Sequence, residues 1–336
     1  MSELVVVRPG PLTTVQDPGR RGVAHLGVPR AGALDEPALR AANRLVGNEP
    51  GAAGLETTLG GVALRAVGTV VVAVTGAPAP VRVDGRAAAW AAPVAVTGAP
   101  APVWVDGRAA AWAAPVAVTG APAPVRVDGR AAAWAAPVVV PDGSVVEVGP
   151  ATDGVRGYLA VAGGIAVPPV LGSRSADLLS GLGPAPLATD DRLPVGTPPP
   201  YRARPELVPL PAPPAELVLR LRLGPRADWF TADAVARLGR DDYRVCSTSN
   251  RGGLRTDGPA VTRARDGELP SEGMVLGAVQ IPPDGQPVVF LADHPTTGGY
   301  PVIGVVPTAD LAAAAQARPG TPVRFAPLRF APPQER

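Results

Sequence analysis

The chain has 336 residues, 46% hydrophobic and 18% charged, which is the balance of a folded globular protein and excludes a disordered one. Its 31 basic and 29 acidic residues leave a formal charge of +2 without a basic stripe, so nucleic acid is not expected as a partner. There is no lysine, one cysteine (Cys246) and only two histidines, His25 and His294, which excludes a P-loop, a Schiff-base lysine, covalent biotin on this chain, a disulfide framework and a Cys/His zinc cluster.

MSELVVVRPG lacks the charged and apolar regions of a secretory leader, and the apolar run from Leu159 is broken by Pro168 and Pro169, so no membrane contact and a cytoplasmic location are expected. Length suggests two lobes: an N-terminal β lobe over 1–196, a proline-rich crossover over 197–214 and a C-terminal β lobe over 215–333. Two polar, Gly- and Pro-rich islands, 13–58 and 249–301, interrupt an Ala/Val/Pro background, one in each half. Polar side chains beside tight turns are what a site requires, and a site fed by both islands would lie where the halves meet.

In chain order the strand candidates are LVVVRP, VVVAVTG, VVEVG, RGYLAVAGG, ELVLRLRLG, GAVQIPP, PVVFLAD, YPVIGVV and VRFAPL, each β-branched or alternating and bounded by turn residues. In ELVLRLRLG, Leu217, Leu219, Leu221 and Leu223 alternate with Val218, Arg220 and Arg222, the pattern of a half-buried strand. Helices are few. One runs from Asp35 as N-cap, with Pro37 in its first turn, to Gly47 as stop; two more begin near Asp228 and Thr308. Residues 73–138 hold three near-identical 22-residue units starting at Ala73, Ala95 and Ala117, with Trp104 standing where the others have Arg82 and Arg126. Each carries an Asp-Gly hairpin signal; one copy is assigned to the fold, and the other two are expected to project as hairpins or remain poorly ordered. No GxSxG elbow, dinucleotide fingerprint or metal motif occurs.

Several polar residues have two readings. Asp17 and Arg20, in QDPGR, form a capped turn or contact a ligand. His25 is a general acid/base or a structural histidine beside Leu26 and Val28. Asp35 is first a helix cap. Asn43 places an amide on the apolar face of its helix, where it must bond either backbone or ligand, and Glu56 in LETTLGG has the same ambiguity. Gln280 offers amide recognition or a cross-strand bond. Thr296 to Tyr300, with Thr297, Gly298 and Gly299 between, is a turn of hydroxyls and free amides that can cradle an anion or simply close a hairpin. Arg251 and Arg255 can clamp an anion or make salt bridges.

Three long runs, TTVQDPGRRGVAHLGVPRAGALDEPALRAANRLVGN, RGYLAVAGGIAVPPVLGSRS and SEGMVLGAVQIPPDGQPVVFLADHPTTGGYP, resemble in content and order the biotin-dependent carboxyltransferase family, which includes the C subunit of 5-oxoprolinase and the carboxyltransferase region of urea amidolyase. The resemblance implies a mainly β protein of two cyclophilin-like β-barrel lobes with a few short helices. It also implies membership of an ATP-dependent 5-oxoprolinase, in which ATP activates the lactam carbonyl of 5-oxoproline for attack by water, with partners similar to the A and B subunits of that enzyme sharing the nucleotide. Arg251, Arg255 and the Thr297–Tyr300 turn would hold anionic groups, while Asp293, Gln280 and His25 would orient lactam or water. Two alternatives accompany it: carboxyl transfer from a partner's biotin to a urea-like amide, and regulation through binding of a kinase-inhibitor partner. The sequence departs from the family pattern SDRMGYRLEG at Gly252, Leu254 and Thr256, carries Pro295 where LADxQTTGGYP has glutamine, and lacks GGxxGR after GSRS.

Overall fold

The structure is a computed structural model and describes residues 2–74, 82–83, 86–87, 104–105, 108–109, 116–120, 125–128, 130–131, 137–200, 214–267 and 269–328. The chain forms two compact units. The first comprises Met1–Gly19, Asp35–Ala176 and Gly181–Pro213, and the second comprises Arg20–Leu34, Asp177–Ser180 and Pro214–Arg336. The first polar island is therefore divided, its segment Arg20–Leu34 belonging with the second.

The fold is mainly β, with three α-helices among the described residues: α1 (Glu36–Leu45), α2 (Ala232–Leu238) and α3 (Thr308–Gln316). The first unit contains two six-stranded sheets. One runs in the order Arg130–Ala131, Val125–Val127, Val145–Val148, Ala63–Val67, Glu3–Arg8, Arg192–Pro194. The other runs Val116–Gly120, Pro137–Val140, Val70–Val74, Arg156–Val161, Gly54–Thr58, Thr13–Gln16. Alternation in Glu3–Arg8 buries Leu4 and Val6, which pack with Leu55, Leu64, Leu159 and Ile165. Thr13–Gln16 and Gly54–Thr58 are buried strands that hydrophobic alternation does not reveal, because Thr13, Thr14, Gln16, Glu56 and Thr57 are themselves buried.

In the repeat region, strands of the third copy enter the two large sheets, while Arg82–Val83 with Arg86–Ala87, and Trp104–Val105 with Arg108–Ala109, form separate two-stranded sheets. The Asp-Gly turns at 84–85 and 106–107, and 201–213 of the proline-rich crossover, lie outside the described residues.

In the second unit a closed seven-stranded barrel runs Leu217–Leu223, Val302–Val305, Ala278–Gln280, Val288–Phe290, Gly253–Asp257, Tyr243–Val245, Pro322–Pro327. Pro322–Pro327 closes it by pairing parallel with Leu217–Leu223. Leu217, Leu219 and Leu221 all face the core, each contributing about 1.5–3 kcal/mol by burial. Tyr243 meets Phe325 edge to face at 5.6 Å, and burial pushes its hydroxyl up to about 12.

Asp35 caps α1, its Oδ1 accepting from Ala38 N at 3.0 Å, and Gly47 at φ +77° follows the helix end. The helix expected near Asp228 is corrected. Asp228 sits in a 3-10 turn, Pro225–Trp229, and α2 starts only after Thr231, whose hydroxyl accepts from Ala234 N at 3.1 Å. A real N-cap is a side-chain acceptor aimed at a free amide, and here Thr231 supplies it. α3 begins at Thr308, as the sequence suggests.

Candidate functional site

The polar residues of the first unit are bound to one another. Asp17 accepts from the Ser173 and Ser175 hydroxyls, both at 2.6 Å, from Arg174 N at 2.6 Å and from Gly19 N at 2.8 Å. The GSRS turn thus exists to satisfy one buried carboxylate. Asn43 donates to Ala52 O at 2.7 Å, and Asn48 donates both to Asn43 Oδ1 at 3.0 Å and to Val161 O at 2.8 Å. Asn43 therefore locks α1 to the following loop and sheet; Asn48 is the partner that its surface-like context in VGNEP did not advertise. Tyr158 joins two further candidates, donating to Glu56 Oε2 at 2.7 Å while accepting from Asp35 N at 2.7 Å. Burial, and then the charges of Glu56 and Asp35, hold its hydroxyl well above the usual tyrosine range, so it remains a donor.

The second unit contains a cleft of about 350 Å³ lined by arginines 20, 21 and 30 and by His294, Thr296 and Met274, with small apolar residues completing the wall. The loop that supplies its arginines is closed on itself, since Arg20 N donates to Arg30 O at 2.7 Å. Its far end is clamped. Ala31 takes a left-handed φ of +52°, uncommon for a residue with a Cβ, and donates to Ala292 O at 3.0 Å. Gly32, at φ +98°, can adopt its conformation freely and presents its carbonyl to Arg251 Nη2 at 2.7 Å.

Arg251 and Asp293 form the clamp's centre. Each is 2% exposed, and the pair is bidentate, Nε to Oδ2 and Nη2 to Oδ1 both at 2.9 Å. Asp293 Oδ2 also accepts from Leu178 N at 3.2 Å. Arg255, the other arginine of that motif, is exposed on Gly253–Asp257, so the two are not brought together as an anion clamp.

His294 follows Asp293 and lies 5% exposed, its ring stacked on Phe290 with centroids 5.7 Å apart and planes 3° from parallel. Nδ1 is 2.7 Å from the carbonyl oxygen of Pro295. A carbonyl only accepts, so Nδ1 carries the proton and Nε2 keeps its lone pair in the neutral ring. Burial lowers the imidazole pKa below its ordinary value, with the Arg30 charge adding to that; the Pro295 bond and the Asp293 and Asp177 carboxylates oppose it. His294 is therefore neutral at pH 7.

The remaining candidates spread out. His25 is exposed in the 3-10 turn Ala24–Leu26, and it does not line the cleft although Ala24 does. Gln280 is buried and donates to Tyr300 O at 3.3 Å; a Cβ at Gly298 would lie 3.0 Å from its Nε2, so that glycine leaves room for the amide. Thr297–Gly298 pairs antiparallel with Glu272–Gly273, and Gly299 O accepts from Leu269 N at 3.1 Å, so this segment is a short strand of a two-stranded sheet whose partner precedes two barrel strands, and it is not a hairpin turn. Of the sequence candidates, Arg20 and Thr296 line the cleft, and Arg251 and Asp293 support it. His294, Arg21 and Arg30 went unselected. The signal available for His294 was its place directly after Asp293 in a turn-rich run.

Among the described residues no group of three or more His, Cys, Asp or Glu is placed to hold a metal ion, and no helix is long and apolar enough to cross a membrane.

A two-unit, mainly β protein whose barrel carries a cationic cleft beside a buried ion pair defines the class. The chain belongs to the family described as carboxyltransferase domain, subdomain A and B, whose model matches residues 26–99 and 108–327. It is 34% identical over 332 residues to the C subunit of 5-oxoprolinase from Escherichia coli, covering 96% of this chain and 90% of that one. It is 30% identical to the C subunit of 5-oxoprolinase from Haemophilus influenzae, covering 93% of this chain and 87% of the relative. Among solved structures it superposes on TTHA0988 with a TM-score of 0.77 at 33% identity, covering 97% of this chain and 56% of that one. The urea carboxylase of Kluyveromyces lactis matches with a TM-score of 0.78 at 28% identity; this chain, 97% covered, spans 27% of that length.

Proposed function

We propose that the chain is one subunit of an ATP-dependent 5-oxoprolinase, which opens the lactam of 5-oxoproline to glutamate, and that its cleft binds the lactam acid. The carrying observation is the cleft's lining, with arginines 20, 21 and 30 beside a neutral His294. Guanidinium groups suit a carboxylate, and a neutral imidazole suits an amide N–H. 5-Oxoproline carries both, whereas urea carries no charge. Likeness to the C subunit of 5-oxoprolinase along most of that protein's length supports the same reading.

ATP is consumed in this reaction. With no lysine in the sequence, a P-loop cannot be built here, so the nucleotide is assigned to partners similar to the A and B subunits of 5-oxoprolinase, or to a site shared with them. The Arg251–Asp293 pair then holds the loop bearing Arg20 and Arg30 and does not touch substrate.

The test is glutamate release from 5-oxoproline and ATP by the chain co-expressed with those partners, for wild type and Arg30→Gln. Turnover requiring every component, with KM for 5-oxoproline raised about tenfold in Arg30→Gln, is the expected result, equivalent to losing roughly 1.4 kcal/mol of binding. Avidin-sensitive carboxylation of urea by a stable complex, without glutamate release, would replace this reading with carboxyl transfer. A stable complex with neither activity would leave the regulatory reading.

A further inference from the structure

We propose that His294 determines the specificity of the cleft, its Nε2 accepting a hydrogen bond from the ring N–H of a bound lactam acid whose carboxylate is held by the arginines. This rests on the lactam-acid reading of the cleft and adds to it a residue, an atom and a substrate feature. The geometry is built around one tautomer. Pro295 O, 2.7 Å from Nδ1, takes the only proton of the neutral ring, and Phe290 stacks on the ring face, so both the proton and the ring plane are fixed. What remains unengaged by these two contacts is the Nε2 lone pair, on a side chain that lines the cleft.

The charged groups bearing on the ring are Arg30, Asp293 and Asp177, with Arg20 and Arg21 also lining the cleft. Asp293 is committed to Arg251 and Leu178 N, and Asp177 accepts from Leu179 N, Ser180 N and the Ser180 hydroxyl. Both carboxylates are thus held by other donors and still favour the imidazolium through space, and burial outweighs them. An uncharged acceptor beside cations discriminates in a way the cations cannot, since arginine attracts any small carboxylate. An acceptor left facing an ether oxygen in place of N–H loses its bond and sets two lone pairs against each other, so sites of this kind separate such analogues strongly.

The test compares binding of 5-oxoproline with that of its lactone analogue, in which ring oxygen replaces N–H, by calorimetry on the full chain and on the co-expressed complex. Wild type is expected to prefer the lactam at least about tenfold. His294→Phe keeps the stack on Phe290 and removes the acceptor. It should bring the two affinities within about twofold, lowering lactam affinity and raising that of the lactone, whose ring oxygen no longer faces a lone pair. A preference that survives in His294→Phe overturns the assignment even though the cleft still binds lactam acids. Failure of wild-type chain and complex to bind either acid overturns the lactam-acid reading itself, and this proposal with it. Imidazole nitrogen NMR of wild type is independent of any variant. With only two histidines, and His25 exposed as an internal reference, the Nδ1–H tautomer should be assignable to His294, and the Nε2–H tautomer there would also overturn the proposal.

Discussion

The buried polar groups of the first unit and those around the second unit's cleft come from sequence of the same character, yet they serve opposite ends. In the first unit Asp17, Asn43, Asn48 and Tyr158 find partners within their own unit, and four donors converge on the Asp17 carboxylate. In the second, the Arg251–Asp293 pair is equally closed, but it props a loop whose arginines and His294 surround open volume. A polar island is thus evidence of buried polar chemistry, and whether that chemistry is a lock or a site depends on whether space is left beside it.

The largest expected effect comes from breaking the prop. Asp293→Ala leaves the Arg251 guanidinium buried and should destabilise the second unit by about 3–5 kcal/mol. Urea unfolding would measure this, with hydrogen exchange of peptides spanning 20–34 and 249–258 locating it. Arg251→Met combined with Asp293→Leu should recover most of the loss, because no charge is then stranded. Full stability in Asp293→Ala would erase the distinction between prop and site.

Asp17→Ala should cost about 2–3 kcal/mol, since it leaves the Ser173 and Ser175 hydroxyls and two amides short of an acceptor. Affinity of the cleft for 5-oxoproline should not change. A parallel loss of affinity would show that the first unit's network does more than lock its own fold.

Asp35→Ala removes the α1 cap and should cost about 1 kcal/mol, visible as a lowered urea midpoint at unchanged slope. The smallest effect concerns pH. Because the folded pKa of His294 lies below its ordinary value near 6.5, the unfolded chain takes up its proton first. The His294 contribution is present above that ordinary value and is lost as pH falls through the folded pKa. Comparing wild type with His294→Phe between pH 8 and pH 5 should therefore show wild type losing more stability toward pH 5. The opposite slope would mean that the imidazole is charged in the folded cleft.

The strands with apolar alternation were readable from sequence, because side chains in a strand point to opposite faces and Leu217, Leu219 and Leu221 report their own burial. So was the Asp35 cap, whose chemistry is local. Thr13–Gln16 and Gly54–Thr58 were not, since their inward residues are polar and are satisfied by partners far along the chain, as in the Gln16 bond to Ala176 O at 3.1 Å. Composition also determined what the chain cannot carry, the missing lysine removing whole mechanisms without reference to any fold.

Tertiary structure alone decided which polar residues meet. It assigned Arg20–Leu34 to the second unit, committed Arg251 to Asp293, left His25 exposed and put His294 in the cleft. Two histidines or two arginines look alike in a sequence. Their proton states, partners and roles depend on burial and on which carbonyl or carboxylate stands within hydrogen-bonding reach, distances set by strands and loops closing from distant parts of the chain.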